Sequence, residues 1–296
     1  MQSQKFEGVF PYLVSPVDSN GKVKNKVLED LVSHLIDSGV HGLTLFGSTG
    51  EFAYLNQEQK EEILKTVLKV NNKRIPIIAG VSHFSSLEAV KQAKKFEELG
   101  VDGILTAINV YFPLDQQSIY SYFKTIAQNV HCPIVIYHNP KFSNIDFSFD
   151  LIIKLSKISN INYIKYATVD TGKVLTIIER TKKNIKVFSA SANIPLLMLM
   201  FGAVGWMAGP ACVIPKQSVL LFNLVKRKEW EDAIVLQKKI NKINELFQKF
   251  NLAACIKAAL EIQGFPVGDP ILPQQSLSID AKEEIRKALN VYLANF

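Results

Sequence analysis

The sequence predicts a (β/α)8 barrel with a C-terminal helical extension, and three observations lead there. Eight short apolar, β-branched runs alternate with longer amphipathic segments every 20 to 35 residues or so, the pattern of repeated βα units and parallel strands. Several helical segments end in a glycine that leads into the next apolar run, as in Ser38-Gly39-Val40-His41-Gly42 and Leu99-Gly100-Val101-Asp102-Gly103, which marks left-handed helix ends. After the eighth run about 80 residues with helical periodicity remain, more than one barrel helix requires.

The predicted strands are Gly8 to Val14, Gly42 to Phe46, Ile75 to Ala79, Gly103 to Ala107, Ile134 to Tyr137, Tyr163 to Ala167, Val187 to Ala190 and Val204 to Ala208. Helices are expected between them at Lys24 to Ser38, Gln57 to Val70, Ser86 to Leu99, Gln116 to Asn129, Phe147 to Ser156, Gly172 to Thr181 and Pro195 to Met200. Eight such units predict a barrel over residues 1–215. The last barrel helix and the extension then occupy residues 216–296, with helices around Ser218 to Lys228, Glu229 to Phe247, Leu252 to Gln263 and Ala281 to Leu293.

Composition narrows the function classes. The formal charge is +7, but lysines and arginines are interspersed with carboxylates; the densest cluster, Lys226-Arg227-Lys228, runs straight into Glu229 and Asp232. That is a solvated helix face and not a nucleic-acid patch. Ile194 to Ile214 carries no formal charge and is long enough to cross a bilayer, yet Pro195, Gly202, Gly205, Gly209 and Pro210 break it. It reads as a short buried helix, a turn and a buried strand. Cys132, Cys212 and Cys255 form no CxxC pair and leave an odd count, and the N-terminus lacks the pattern of a secretory signal, so the expected location is the cytoplasm. His34, His41, His83, His131 and His138 show no HxH or HExxH spacing, so no metal site is expected.

Lys165 is the residue that carries chemistry. It is a lone cation in the run Ile161-Asn162-Tyr163-Ile164-Lys165-Tyr166-Ala167. A lysine kept from water loses its preference for the charged form and becomes a nucleophile for carbonyl carbon; the alternative is a lysine snorkelling from an edge strand. A barrel gathers reactive groups at the C-terminal ends of its strands. Two further features fall there: Gly47-Ser48-Thr49-Gly50-Glu51 after the second strand, a nest suited to a carboxylate, and Tyr137 at the end of the fifth strand, beside that of Lys165.

Together these segments resemble the dihydrodipicolinate synthase and N-acetylneuraminate lyase family of pyruvate-dependent aldolases and lyases. The markers occur in order: Gly47-Ser48-Thr49-Gly50-Glu51, Tyr111 in Asn109-Val110-Tyr111-Phe112-Pro113, Tyr137-His138-Asn139-Pro140, Ile164-Lys165-Tyr166-Ala167-Thr168, and Gly202-Ala203-Val204-Gly205. The resemblance implies that Lys165 forms an imine with pyruvate and that Tyr137 shuttles protons. It implies that Gly47, Ser48 and Thr49 hold the carboxylate and that Thr49 links Tyr137 to a Tyr111 supplied by a neighbouring subunit. Met207 and Phe142 are expected to line the substrate space. A homotetramer built as a dimer of dimers follows, with no cofactor beyond the covalent imine, no metal, no nucleic acid and no membrane partner.

The sequence also departs from the family pattern. Where the synthases carry an arginine that grips the carboxylate of aspartate semialdehyde, this chain has Phe142, which cannot make that bidentate contact. Val110-Tyr111-Phe112-Pro113 and Ser48 are more similar to the aldolase branch. Phe52 and Val110 depart from the positions that bind inhibitory lysine. His138 replaces the usual asparagine, Tyr166 follows the lysine in place of an acidic or polar residue, and Ser189-Ala190-Ser191 lacks the sugar-binding signature of sialic acid lyases. The expected activity is a Schiff-base aldolase or lyase acting on pyruvate and an aldehyde or a sugar-derived 2-oxo acid. The alternatives are a 4-hydroxy-tetrahydrodipicolinate synthase and a non-catalytic 2-oxo-acid sensor.

Overall fold

The computed structural model describes residues 6–293. Eight strands, β1 (Gly8–Pro11), β2 (Leu43–Leu45), β3 (Ile77–Val81), β4 (Gly103–Thr106), β5 (Ile134–His138), β6 (Ile161–Tyr166), β7 (Lys186–Ser189) and β8 (Gly205–Ala208), pair in parallel in the order β1-β8-β7-β6-β5-β4-β3-β2. The Tyr12–Thr44 bridge and the bond from Leu13 N to Thr44 O, 2.9 Å, bring β1 onto β2 and close the ring. The predicted (β/α)8 barrel is the observed architecture.

Around it run α1 (Asn25–Asp37), α2 (Gln57–Asn71), α3 (Ser86–Leu99), α4 (Gln116–Ala127), α5 (Pro140–Ser143), α6 (Phe149–Leu155), α7 (Thr171–Arg180), α8 (Pro195–Met200) and α9 (Pro215–Lys226). The C-terminal helices are α10 (Trp230–Lys249), α11 (Leu252–Ile262) and α12 (Ile279–Leu293). Three differences from expectation have local causes. The third strand begins two residues late because Pro76 has no N–H for the ladder. The helix expected from Ser218 starts at Pro215, where proline suits the first helical position. The loop after β5 contains α5, a single turn with Pro140 at its start, too short to show a helical period.

The barrel interior is filled by Phe6, Phe10, Tyr12, Ile78, Leu105, Val135, Tyr163, Phe188 and Met207, all buried. These positions alternate along their strands with residues facing the helix shell. The interior rings need glycines opposite them: a Cβ on Gly42 would lie 2.1 Å from the Phe10 ring, and one on Gly205 would lie 2.5 Å from the Phe188 ring. Each enclosed phenylalanine contributes about 1.5–3 kcal/mol by burial.

The uncharged stretch from Ile194 resolves as anticipated into α8, a turn at Gly202, and β8. Among the described residues no helix is long and apolar enough to cross a membrane.

Candidate active site

Lys165 and Tyr137 are register partners on adjacent strands β6 and β5. They share parity with Tyr163 and Val135 of the interior cluster, so both side chains enter the barrel near its C-terminal rim. Lys165 is 5% exposed, which decides against the snorkelling alternative. Its Nζ lies 3.8 Å from the centroid of the Tyr137 ring and 3.9 Å from that of Tyr12, with no hydrogen bond or ion pair to another described residue.

Two effects compete over this amine. Aromatic faces attract an ammonium, by about 2 kcal/mol each when desolvated. Taking the charge out of water without a counter-ion costs several kcal/mol per ion, and desolvation prevails: burial pushes the Lys165 amine well below the usual lysine range. Burial also holds the phenol of Tyr137 above its ordinary value, with the Asn139 and Ser48 side chains acting the other way. Burial therefore favours the uncharged form of each group, the amine of Lys165 and the phenol of Tyr137.

The loop after β2 is held in a strained shape. Phe46 and Glu51 both adopt left-handed backbone at φ 55°, at about 1–3 kcal/mol each. Gly47 has no alternative: a Cβ there would lie 1.9 Å from the Tyr12 ring. Thr49 is buried against Gly209, whose missing side chain leaves room for the threonine hydroxyl. The Ser15 hydroxyl donates to Gly50 O at 2.7 Å. Glu51 then turns away into the protein. Its Oε1 accepts from Ile271 N and Gln274 Nε2, both at 2.7 Å, and its Oε2 lies 2.5 Å from Lys257 Nζ on α11. The C-terminal segment thereby clamps the loop that carries Ser48 and Thr49.

The structure does not bring every expected group together. Tyr111 is 83% exposed, edge to face with Phe112, and neither it nor Thr49 makes a hydrogen bond to Tyr137 within the chain. The Asn139 amide donates to the Tyr137 hydroxyl at 2.9 Å, and the Ser48 side chain also acts on it. Phe142, 58% exposed, sits on α5. Met207 is fully enclosed in the interior cluster.

Three participants escaped the sequence reading. Tyr12 had only its parity with Phe10 as a signal. Asn139 is an ordinary turn residue before Pro140 by sequence, and Lys257 lies about two hundred residues from its partner in the chain.

His138 and Tyr166, the two unusual residues, are also register partners. They face the helix shell and stack at 4.6 Å and 12°. Burial brings the His138 imidazole down to about 4, so it is neutral near pH 7; its Nε2 lies 2.9 Å from Asp146 Oδ1. A nearby cavity of about 350 Å³ is lined by Asp146, Tyr166, Lys173 and Arg180 among others. Neither Lys165 nor Tyr137 lines it, so it is separate from the amine.

The family model of the dihydrodipicolinate synthetase family matches residues 5–292. The chain belongs to this family. It is 33% identical over 269 residues to 4-hydroxy-tetrahydrodipicolinate synthase 2 of Halalkalibacterium halodurans, covering 90% of this chain and 92% of that one. The chloride-inhibited dihydrodipicolinate synthase from Acinetobacter baumannii, solved in complex with pyruvate, superposes with a TM-score of 0.94 at 29% identity, covering 97% of this chain and 99% of that one. Dihydrodipicolinate synthase DapA-2 from Bacillus anthracis gives 0.92 at 28% identity, covering 97% and 98%. The protein is therefore a lyase of the aldolase type within the dihydrodipicolinate synthetase family.

Proposed function

We propose that this enzyme condenses or cleaves pyruvate, or a closely related 2-oxo acid, with an aldehyde through an imine on Lys165. The observation that carries the reading is the buried, unpaired Lys165 amine against the Tyr137 ring. The neutral amine attacks the keto carbon, forming a C–N bond, and the amine proton passes through Tyr137 to the former carbonyl oxygen. That oxygen then leaves as water with the phenolic proton, giving an iminium and a phenolate. The phenolate removes a proton from the adjacent carbon, which restores the phenol and leaves an enamine to attack the aldehyde. Cleavage is the reverse. The lysine is itself the electron sink, and no further cofactor is assigned.

Gly47, Ser48 and Thr49 are assigned the pyruvate carboxylate, since a nest of backbone N–H groups and hydroxyls fits an anion. Met207 is assigned to packing and not to substrate contact, because it has no accessible surface. Tyr111 is assigned to the site of a neighbouring subunit in a dimer of dimers; its exposure and its separation from its own Tyr137 support that placement. Cys132, Cys212 and Cys255 are unpaired, in keeping with a reducing cytoplasm.

A second reading, 4-hydroxy-tetrahydrodipicolinate synthase, is favoured by the names of the curated relatives. Phe142 opposes it, because a phenyl ring offers nothing to a second carboxylate. Coupling assays with pyruvate and either aspartate semialdehyde or a panel of uncharged and hydroxylated aldehydes separate the two. We expect turnover with the panel, and a gain toward aspartate semialdehyde in Phe142→Arg. Rapid wild-type turnover of aspartate semialdehyde, with no gain from the arginine, would establish the second reading. In either case Tyr137→Phe is expected to slow turnover roughly 10²- to 10⁴-fold while some borohydride-trapped pyruvate adduct persists. A variant at full speed would remove Tyr137 from the proton transfers.

A further inference from the structure

Asn139 touches the proposed proton shuttle and has no part in the scheme above. It stands directly after β5, two residues from Tyr137, and its Nδ2 donates to the phenolic oxygen at 2.9 Å. The donor is presented from fixed backbone. The Asn139 carbonyl accepts from Phe142 N, Ser143 N and the Ser143 hydroxyl, each at 3.0 Å, so the residue caps the turn of α5 independently of its side chain.

A phenol has one proton to give and two lone pairs to fill. An amide N–H on one lone pair cannot compete for the proton, and it directs the O–H away from Asn139. Lys165 Nζ lies 3.8 Å from the centroid of the same ring, and the Ser48 side chain is the other hydrogen-bonding group on this phenol. The same N–H is placed to stabilise the phenolate that exists between release of water and removal of the carbon-bound proton, since a hydrogen bond to the charged form favours it. The hydroxyl of Thr49, expected from the family pattern to hold this phenol, makes no such bond in the chain.

We infer that Asn139 is a positioning residue for catalysis: its amide aims the Tyr137 proton at the lysine-bound substrate and holds the transient phenolate. The inference rests on the assignment of Lys165 as the imine-forming lysine and concerns only the steps that pass through Tyr137.

The test needs pyruvate alone. Exchange of its methyl protons with D2O, followed by NMR, reports enamine formation; intact mass after borohydride reports the imine. In full-length protein, Asn139→Leu keeps the volume but removes the donor, and Asn139→Asp replaces it with an acceptor that draws the phenolic proton to the wrong side. Exchange is expected to fall roughly 10- to 100-fold in Asn139→Leu, less than for loss of a direct oxyanion donor, and at least as far in Asn139→Asp. Both variants should still form the adduct. In a Tyr137→Phe background Asn139→Leu should have no additional effect.

Asn139→Leu exchanging within twofold of wild type would overturn the inference. So would Asn139→Asp at the wild-type rate, which would reverse the direction of the bond, or an equal loss from Asn139→Leu with and without Tyr137, which would make its role structural. A wild-type protein that forms no adduct would instead remove the Lys165 assignment itself.

Discussion

Lys165→Ala is expected to gain no mass on incubation with pyruvate and borohydride, and to show no aldolase turnover above the uncatalysed rate. The expectation follows from the number of roles placed on one atom: Lys165 Nζ is nucleophile, tether and electron sink, and no described residue at the site carries a second amine beside Tyr137. Lys165→Arg should fail equally, because a guanidinium remains protonated throughout the accessible pH range.

The pH dependence separates this amine from surface lysines. A solvated lysine becomes neutral only near its ordinary value of about 10.4, so its alkylation rises about tenfold per pH unit below that. Burial makes the Lys165 amine neutral from a lower pH than that, so wild-type adduct formation should level off at a lower pH than surface-lysine alkylation does. A tenfold rise per unit continuing up to the ordinary lysine value, or an equal adduct in Lys165→Ala, would place the chemistry on another group.

The same burial has a sign for stability. With its folded-state pKa below the unfolded one, the unfolded chain binds more protons between the two values. Stability through Lys165 therefore rises with pH across that window and is lowest below it. Lys165→Met, which fills the space without charge, is expected to melt higher than wild type at pH 7 while lacking activity. A lower melting temperature would show that the amine is held by interactions that outweigh its desolvation.

The barrel was legible in the sequence because its signals are local and repeated. Each buried parallel strand is a short apolar run, each helix has a 3.6-residue period, and Gly39 and Gly100 stop their helices with φ of 82° and 101°. Eight repetitions leave few alternative topologies. Lys165 and Tyr137 were legible for a related reason: an odd residue in a regular strand is conspicuous, and strand parity fixes the direction in which it points.

What escaped depended on pairings that no local pattern encodes. Tyr12 is one more aromatic in an aromatic-rich barrel until the ring closes and brings it over Lys165 Nζ. The Asn139 amide turns back onto Tyr137 two residues earlier, a side-chain orientation that no sequence period encodes, and the four-residue α5 that follows has too little length for a period. The family resemblance implies a Thr49 bond to Tyr137, whereas within the chain it is the Asn139 amide that lies 2.9 Å from the phenolic oxygen. Tyr111 marks the limit of reading one chain alone: it is exposed and outside the hydrogen-bond network of its own Tyr137, and the role proposed for it needs a second subunit.

Lys257→Met is expected to destabilise the protein by about 3–5 kcal/mol, the cost of breaking a buried pair by removing one partner. Lys257 and Glu51 side chains are 1% and 0% exposed, so water cannot replace the lost ammonium. The amine also holds Asp269 O at 2.9 Å, and burial lowers its pKa in opposition to Glu51; the pair endures through mutual compensation and not through intrinsic strength. Breaking it leaves a carboxylate at a left-handed residue whose strain the clamp had offset, directly beside Ser48 and Thr49.

Affinity for pyruvate should therefore fall together with stability in Lys257→Met, measured by adduct formation against pyruvate concentration and by denaturant unfolding. A double variant, Glu51→Gln with Lys257→Met, removes the orphan charge while keeping an amide for Ile271 N. It should recover most of the stability. If Lys257→Met unfolds within 1 kcal/mol of wild type, the C-terminal segment does not clamp the loop. If the double variant is no better than the single one, the loss lies in packing of the lysine stem and not in the unpaired carboxylate.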